Sequence, residues 1–116
     1  MTDLQKGHIR GTIHYLQRMA LPDDAQVAVR LMAVSLKERA INKIGTQEYE
    51  TAGRQVPFPF DIAFEMDQID ADWQYVIEAR IEDGKGNLLF KNTGMQFVDL
   101  QQTMTEEISI RVEPVR

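Results

Sequence analysis

Alternation with a period of two runs through most of this chain and confines it to β-structure. Successive side chains of a strand point to opposite faces, so a half-buried strand alternates apolar and polar residues. Ile9, Gly11, Ile13 and Tyr15 alternate with His8, Arg10, Thr12 and His14. Val27, Val29, Leu31 and Ala33 alternate with Ala28, Arg30, Met32 and Val34. That second set is mixed, which fits a central strand or one packed on both sides. Phe58, Phe60, Ile62 and Phe64 alternate with Pro57, Pro59, Asp61 and Ala63. Trp73, Tyr75, Ile77, Ala79 and Ile81 stand against Val76, Glu78, Arg80 and Glu82, and Ile108, Ile110 and Val112 form a last alternating run before Pro114.

Turn chemistry separates these runs. Pro22-Asp23-Asp24 breaks the chain after the first, because Pro presets φ and Asp bonds nearby backbone. Asp83-Gly84-Lys85-Gly86-Asn87 reads as a hairpin loop returning into Leu88-Leu89-Phe90. A further strand fits within Thr93–Leu100. Residues 40–51 fit a helix or an irregular strand, and the all-β surroundings favour strand. Residues 66–72 fit a single helical turn or a loop, and 101–106 are polar. At 116 residues the chain is one domain. The expected fold is an all-β sandwich of seven or eight mostly antiparallel strands over residues 1–116. Its core should hold Ile9, Ile13, Val27, Val29, Leu31, Phe60, Ile62, Tyr75, Ile77, Ala79, Ile81, Ile110 and Val112.

Composition removes several function classes. Thirteen Lys+Arg against 18 Asp+Glu leave a net charge of −5 without a basic run, which argues against nucleic acid as a partner. There is no cysteine, hence no disulfide, thiolate nucleophile or Cys-ligated zinc. No apolar run approaches the ~20 residues of a transmembrane segment. The start, Met1-Thr2-Asp3-Leu4-Gln5-Lys6, lacks the apolar core of a signal peptide. The expectation is a cytoplasmic protein if Met1 is native, and one on the periplasmic side of the envelope if a leader was removed.

No constellation points to catalysis, a cofactor or a metal. His8 and His14 share a strand face ~20 Å apart at ~3.3 Å per residue, too far to chelate one ion. The acidic series Asp61, Glu65, Asp67, Asp70 and Asp72 does not match the spacing of a calcium loop and reads as solvated. The Asp83–Asn87 glycines lack the Lys-Ser/Thr and the strand-to-helix setting of a phosphate loop. Ser35 and Ser109, the only serines, have no nucleophile-elbow context. Two interaction features remain. Pro57 and Pro59 share one parity and lack N–H donors, so their strand belongs at a sheet margin. Val56, Pro57, Phe58 and Pro59 are therefore the candidate partner-binding residues, although prolines on an edge also protect it. The alternative is a small-ligand groove lined by Phe58, Phe60, Phe64, Trp73 and Phe90, rings that equally suit a core.

Gly11-Thr12-Ile13-His14-Tyr15, Arg18, Ala20-Leu21-Pro22-Asp23-Asp24-Ala25 and Val27-x-Val29-x-Leu31 resemble the start of the YbaY/YscW-type bacterial lipoprotein domain. Gln55-Val56-Pro57-Phe58-Pro59-Phe60-Asp61-Ile62, Ile69-Asp70, Tyr75-x-Ile77-x-Ala79-Arg80-Ile81 and Leu88-Leu89-Phe90 continue the resemblance in order, over about residues 8–98. It implies a β-sandwich, a non-enzymatic role and a protein partner in the bacterial envelope. One branch of the family is the lipoprotein chaperone, or pilotin, of type III secretion, which helps place an outer-membrane secretin ring. This sequence departs from the family in having no lipobox cysteine.

Overall fold

The computed structural model describes residues 6–100 and 106–115. The expectations for residues 1–5 and for most of the polar 101–106 stretch lie outside the described residues. Among the described residues nine strands follow one another: β1 (Lys6–His14), β2 (Gln26–Ser35), β3 (Ala40–Glu50), β4 (Phe58–Glu65), β5 (Gln74–Glu82), β6 (Leu88–Lys91), β7 (Gln96–Val98), β8 (Ile108–Arg111) and β9 (Glu113–Pro114). Residues 40–51 resolve into a strand, and the helical turn is a single 3-10 turn at Met66–Gln68. The count exceeds the expected seven or eight because two very short strands are present, β7 and the two-residue β9.

These strands form two sheets. The small sheet has the order β4-β1-β8, with β1 and β8 parallel. The large sheet runs β3-β2-β5-β6-β9, with β7 also on β5, and all its pairings are antiparallel. Every expected core residue is buried between the sheets. They are joined by Phe58, Phe64, Phe90, Tyr15, Leu21 and Leu100, and the Tyr15 ring stacks on Phe90 at 4.3 Å. The inward parities of β1, β2, β4 and β5 supply most of this core, so the period-two pattern is the physical source of the packing.

Glycine lets strands and sheets approach closely at two points. Gly11 pairs with Phe60 on β4 and with Ile108 on β8, and a methyl there would drive into the Ile108 carbonyl. Gly45 lies where β3 crosses the margin of β4, and a Cβ would meet Ala63 O at 2.8 Å. The sheets are also tied there by side chains. Tyr49 O–H donates to Pro59 O at 2.6 Å, and Asp61 N–H donates to Gln47 Oε1 at 2.7 Å.

One buried amide lets two strands share one side of β5. β6 pairs with Arg80–Glu82 and β7 with Tyr75–Ile77. Asn92 fills the gap between them: Ala79 N–H donates to its Oδ1 and its Nδ2–H donates to Ile77 O, both at 3.0 Å. Its own backbone N–H donates to Ala79 O at 3.1 Å.

Replacing Gly11 by Ala should lower stability by roughly 2–3 kcal/mol, because backbone must shift to admit one methyl. Urea unfolding followed by Trp73 fluorescence measures it; a change below about 0.5 kcal/mol would show that β1 and β8 separate freely.

Candidate functional site

The structure places β4 at the margin of the small sheet, as its prolines require. The four residues of the expected interaction segment divide. Pro57 and Pro59 are exposed, Val56 is half-buried against the core, and Phe58 is 2% exposed within it. The Val56–Pro57 peptide is cis. The carbonyl of Pro59 and the N–H of Asp61 are engaged by β3, so they are not open to a partner strand. Burial pushes the Tyr49 phenol above its ordinary value of 10.0, so it remains a donor to higher pH than a free phenol.

The five-ring aromatic groove does not form. Phe58, Phe60, Phe64 and Phe90 fill the space between the sheets, each 2–3% exposed. Their inward parity decides this, and Trp73 alone of the five lines a surface hollow.

The exposed face of the small sheet carries a charge network. His8 Nδ1–H donates to Asp61 Oδ1 at 2.7 Å, and Arg10 Nε–H donates to Asp61 Oδ2 at 3.0 Å. These bonds, the one from His8 foremost, hold the Asp61 carboxyl below its ordinary value of 3.8. His14 shares a 3.1 Å hydrogen bond with Ser109 on the neighbouring strand. The acidic series is dispersed: Asp61 is taken by this network, Glu65 pairs with Lys6, and Asp70 Oδ1 accepts the Asp72 N–H. Among the described residues no three His, Asp or Glu side chains come together as a metal site. In the hairpin loop Asp83 accepts from Lys85 N, Asn87 N and Asn87 Nδ2, each at 2.9 Å, which makes it a turn device.

The apolar surface lies elsewhere, on the outer face of the large sheet and around its corner. Strand register sets one row: Lys43 opposite Met32, Met32 opposite Val76, Val76 opposite Phe97. Ile41 opposite Val34 lies in the next row. Three of the large hydrophobic side chains most open to water lie here: Ile41 is 66% exposed, Met95 56% and Phe97 54%. Single exposed hydrophobes are ordinary, whereas a contiguous group marks an interaction surface. Phe97 lines one hollow, and Met95, just before β7, lines a second. The larger, about 530 Å³, is lined by Ile69, Trp73, Tyr75, Phe97, Val98 and Leu100 with Asp70 and Asp99 at its rim. The smaller, about 270 Å³, lies over Met32, Val34, Ile41, Val76 and Met95 with Glu78 and Lys91. Tyr75 shapes the larger one by donating its O–H to Asp70 O and accepting the Asp70 N–H.

A sandwich with a closed core, a marginal proline strand and an apolar outer face can now be compared with known proteins. The family described as type III secretion system lipoprotein chaperone (YscW) matches residues 4–111. The chain belongs to this family. It is similar to the uncharacterized lipoprotein YbaY of Escherichia coli (strain K12), with 28% identity over 78 residues. That match covers 67% of this chain and spans 41% of the length of the relative. The fold is similar to that of an alternative pilotin from the type II secretion system of Vibrio cholerae, with a TM-score of 0.84 and 33% identity, over 97% of this chain and 99% of that one. The match to a lipoprotein chaperone family agrees with the resemblance read from residues 8–98.

The Phe97 surface escaped the sequence reading. Its signal was there in the mixed parities, Met32 and Val34 on β2 and Val76 on β5, but only strand pairing puts them in rows with Ile41 and Phe97.

Phe58→Ala should cost roughly 3–5 kcal/mol and Phe97→Ala less than about 1 kcal/mol, since only the first opens a core cavity. Equal losses in urea unfolding would place Phe97 in the core. Asp61→Asn tests the charge network. A depressed folded-state pKa stabilises above the ordinary value and loses that benefit as pH falls through the folded value. The side chain is 44% exposed, so the variant should lose less than about 1 kcal/mol at pH 7. The gap to wild type should narrow as pH falls below 3.8 towards the lower folded-state value; a gap of unchanged size in urea titrations at pH 3 would remove the carboxylate as its cause.

Proposed function

We propose that the protein is a non-enzymatic, pilotin-like chaperone that holds an apolar segment of an outer-membrane secretion component, a secretin subunit being the kind of partner its family implies. The observation that carries the reading is the clustering of exposed apolar side chains around Phe97, on a fold that resembles a type II secretion pilotin along nearly its whole length. Membership in a lipoprotein chaperone family supports the same role. Trp73 and Phe97 supply rigid aromatic area, and Met32 and Met95 supply thioethers that adapt to the shape of a bound segment. An apolar segment docked there leaves water from both sides of the contact, which is the general source of such affinity.

The Val56–Pro59 margin is the second place where contact is proposed. Its accessible part is the pair of proline rings, with Phe58 supporting them from below.

The test is deletion of the gene in a strain carrying its own secretion system, followed by fractionation and blotting of the secretin. Loss of multimeric secretin from the outer membrane is expected, with rescue by wild type. Phe97→Asp should rescue at most about a tenth as well while remaining folded by CD. If Pro57→Glu/Pro59→Glu fails to rescue and Phe97→Asp succeeds, the docking site moves to the β4 margin. An unchanged secretin distribution after deletion would overturn the role.

A further inference from the structure

The hollow beside Trp73 combines three kinds of lining, and together they single out one class of small molecule. Val98 and Leu100 give it apolar walls, Trp73 and Phe97 add aromatic rings, and Asp70 and Asp99 stand at its rim. Its volume of about 530 Å³ falls within the ~300–1,000 Å³ of small-molecule pockets. No Lys, Arg or His is among its lining residues. The loop that frames it, residues 66–73, carries Asp67, Asp70 and Asp72 and no basic residue.

One rim carboxylate is fixed in place. The Asp70 N–H donates to the Tyr75 hydroxyl oxygen at 2.6 Å, and the Tyr75 O–H donates to Asp70 O at 3.1 Å. The Trp73 N–H donates to the same carbonyl at 3.1 Å, and Asp70 Oδ1 accepts the Asp72 N–H at 2.8 Å. The residue is therefore ordered before any ligand arrives, which lowers the cost of binding to it.

Simpler ligands fit only part of this lining. An anion meets two carboxylates and no cation. A divalent metal ion such as calcium needs ~6–8 oxygen ligands, and no three acidic or His side chains come together among the described residues. A neutral hydrocarbon uses the walls and strips water from the carboxylates without replacing it. An ammonium ion bearing alkyl groups uses everything present. The ring faces attract its charge, the carboxylates balance it, and its alkyl groups lie against the walls.

We infer that the Trp73 hollow is a small-molecule site for a soluble, alkyl-substituted ammonium ion, with the nitrogen at the Asp70–Asp99 rim and the alkyl part against Trp73, Phe97 and Val98. The site stands on the hollow itself and does not depend on the chaperone reading. A phosphocholine headgroup carries the same cation, but its phosphate would come against the same carboxylates, so the free ion is the occupant.

Trp73 is the only tryptophan of the chain and lines the hollow, so its emission reports occupancy. The protein alone is titrated at low salt with hexyltrimethylammonium chloride, hexanol, hexyl sulfate and phosphocholine, by fluorescence and by calorimetry. Hexyltrimethylammonium should bind saturably, about tenfold tighter than hexanol or phosphocholine, and hexyl sulfate should not bind. Asp70→Asn keeps an acceptor for the Asp72 N–H and removes the charge. Combined with Asp99→Asn and checked by CD, it should erase the preference for the cation and leave hexanol binding unchanged. If the double variant does not fold, Asp70→Asn alone should reduce that preference about threefold. Equal affinities of wild type for hexyltrimethylammonium and hexanol would overturn the cation assignment, as would an unchanged preference in a folded variant. Tighter binding of phosphocholine would overturn the soluble ion as the occupant. No saturable signal from any of the four would overturn the site, and because no partner protein enters the titration, the chaperone role would be untouched by that result.

Discussion

The outer face of the large sheet depends on one buried side chain, the amide of Asn92. β5 offers a single side to both β6 and β7, and neither is long enough to cover it alone. Where one ends and the other has not begun, the N–H of Ala79 and the carbonyl of Ile77 would be left without a strand partner inside the protein. Leaving buried backbone groups unpaired costs about 1–3 kcal/mol each. Asn92 satisfies both with one planar group, and its backbone adds a third bond to the Ala79 carbonyl. Of the side chains available, an amide presents a donor and an acceptor side by side in the way a strand does. Through this bridge the chain can leave β6, turn at Gly94 and come back onto β5 as β7. Phe97 and Met95 are thereby brought beside Val76 on the outer face.

The sequence shows the sandwich because its evidence is local. Whether Ile9 or Phe60 faces inward follows from its neighbours two residues away, and the inner parities of β1, β2, β4 and β5 all became core. The marginal position of β4 was legible for the same reason, since a missing N–H at Pro59 is a property of one residue. What was not legible depends on pairing. Asn92 in Lys91-Asn92-Thr93-Gly94 looks like any turn asparagine until β6 and β7 are both set against β5. The margin of β4 looks open until Tyr49 and Gln47, ten and fourteen residues away, reach across to it. Phe58 was read both as core and as surface, and parity gives it to the core. The Phe97 surface needs four strands in register before its rows exist.

Closure of the β3–β4 margin also explains how an exposed apolar face coexists with a stable fold. Open strand edges next to apolar surface invite pairing with other copies. Here β4 is blunted by proline and roofed by the far half of β3, and the near half of β3 carries Lys43, with Lys37 and Arg39 in the preceding turn. Desolvating these charges opposes strand addition by another copy.

The two halves of that face differ in stiffness, and the difference suits a chaperone. β2 and β5 share nine paired positions and carry Met32, Val34 and Val76 on a backbone fixed by core packing on its other side. β7 is held by three paired positions, and Met95 just before it is joined to the sheet mainly through the chain. Elements with few ladder bonds and exposed backbone open at lower free energy than the core strands they rest on. Phe97 and Met95 therefore stand on the more weakly held side of this face. In the docking proposed above, β7 is the part that would yield to segments of different girth, while Asn92 keeps its three bonds to β5. For that proposed docking, a floor already fixed by core packing lowers the entropic cost of ordering the contact.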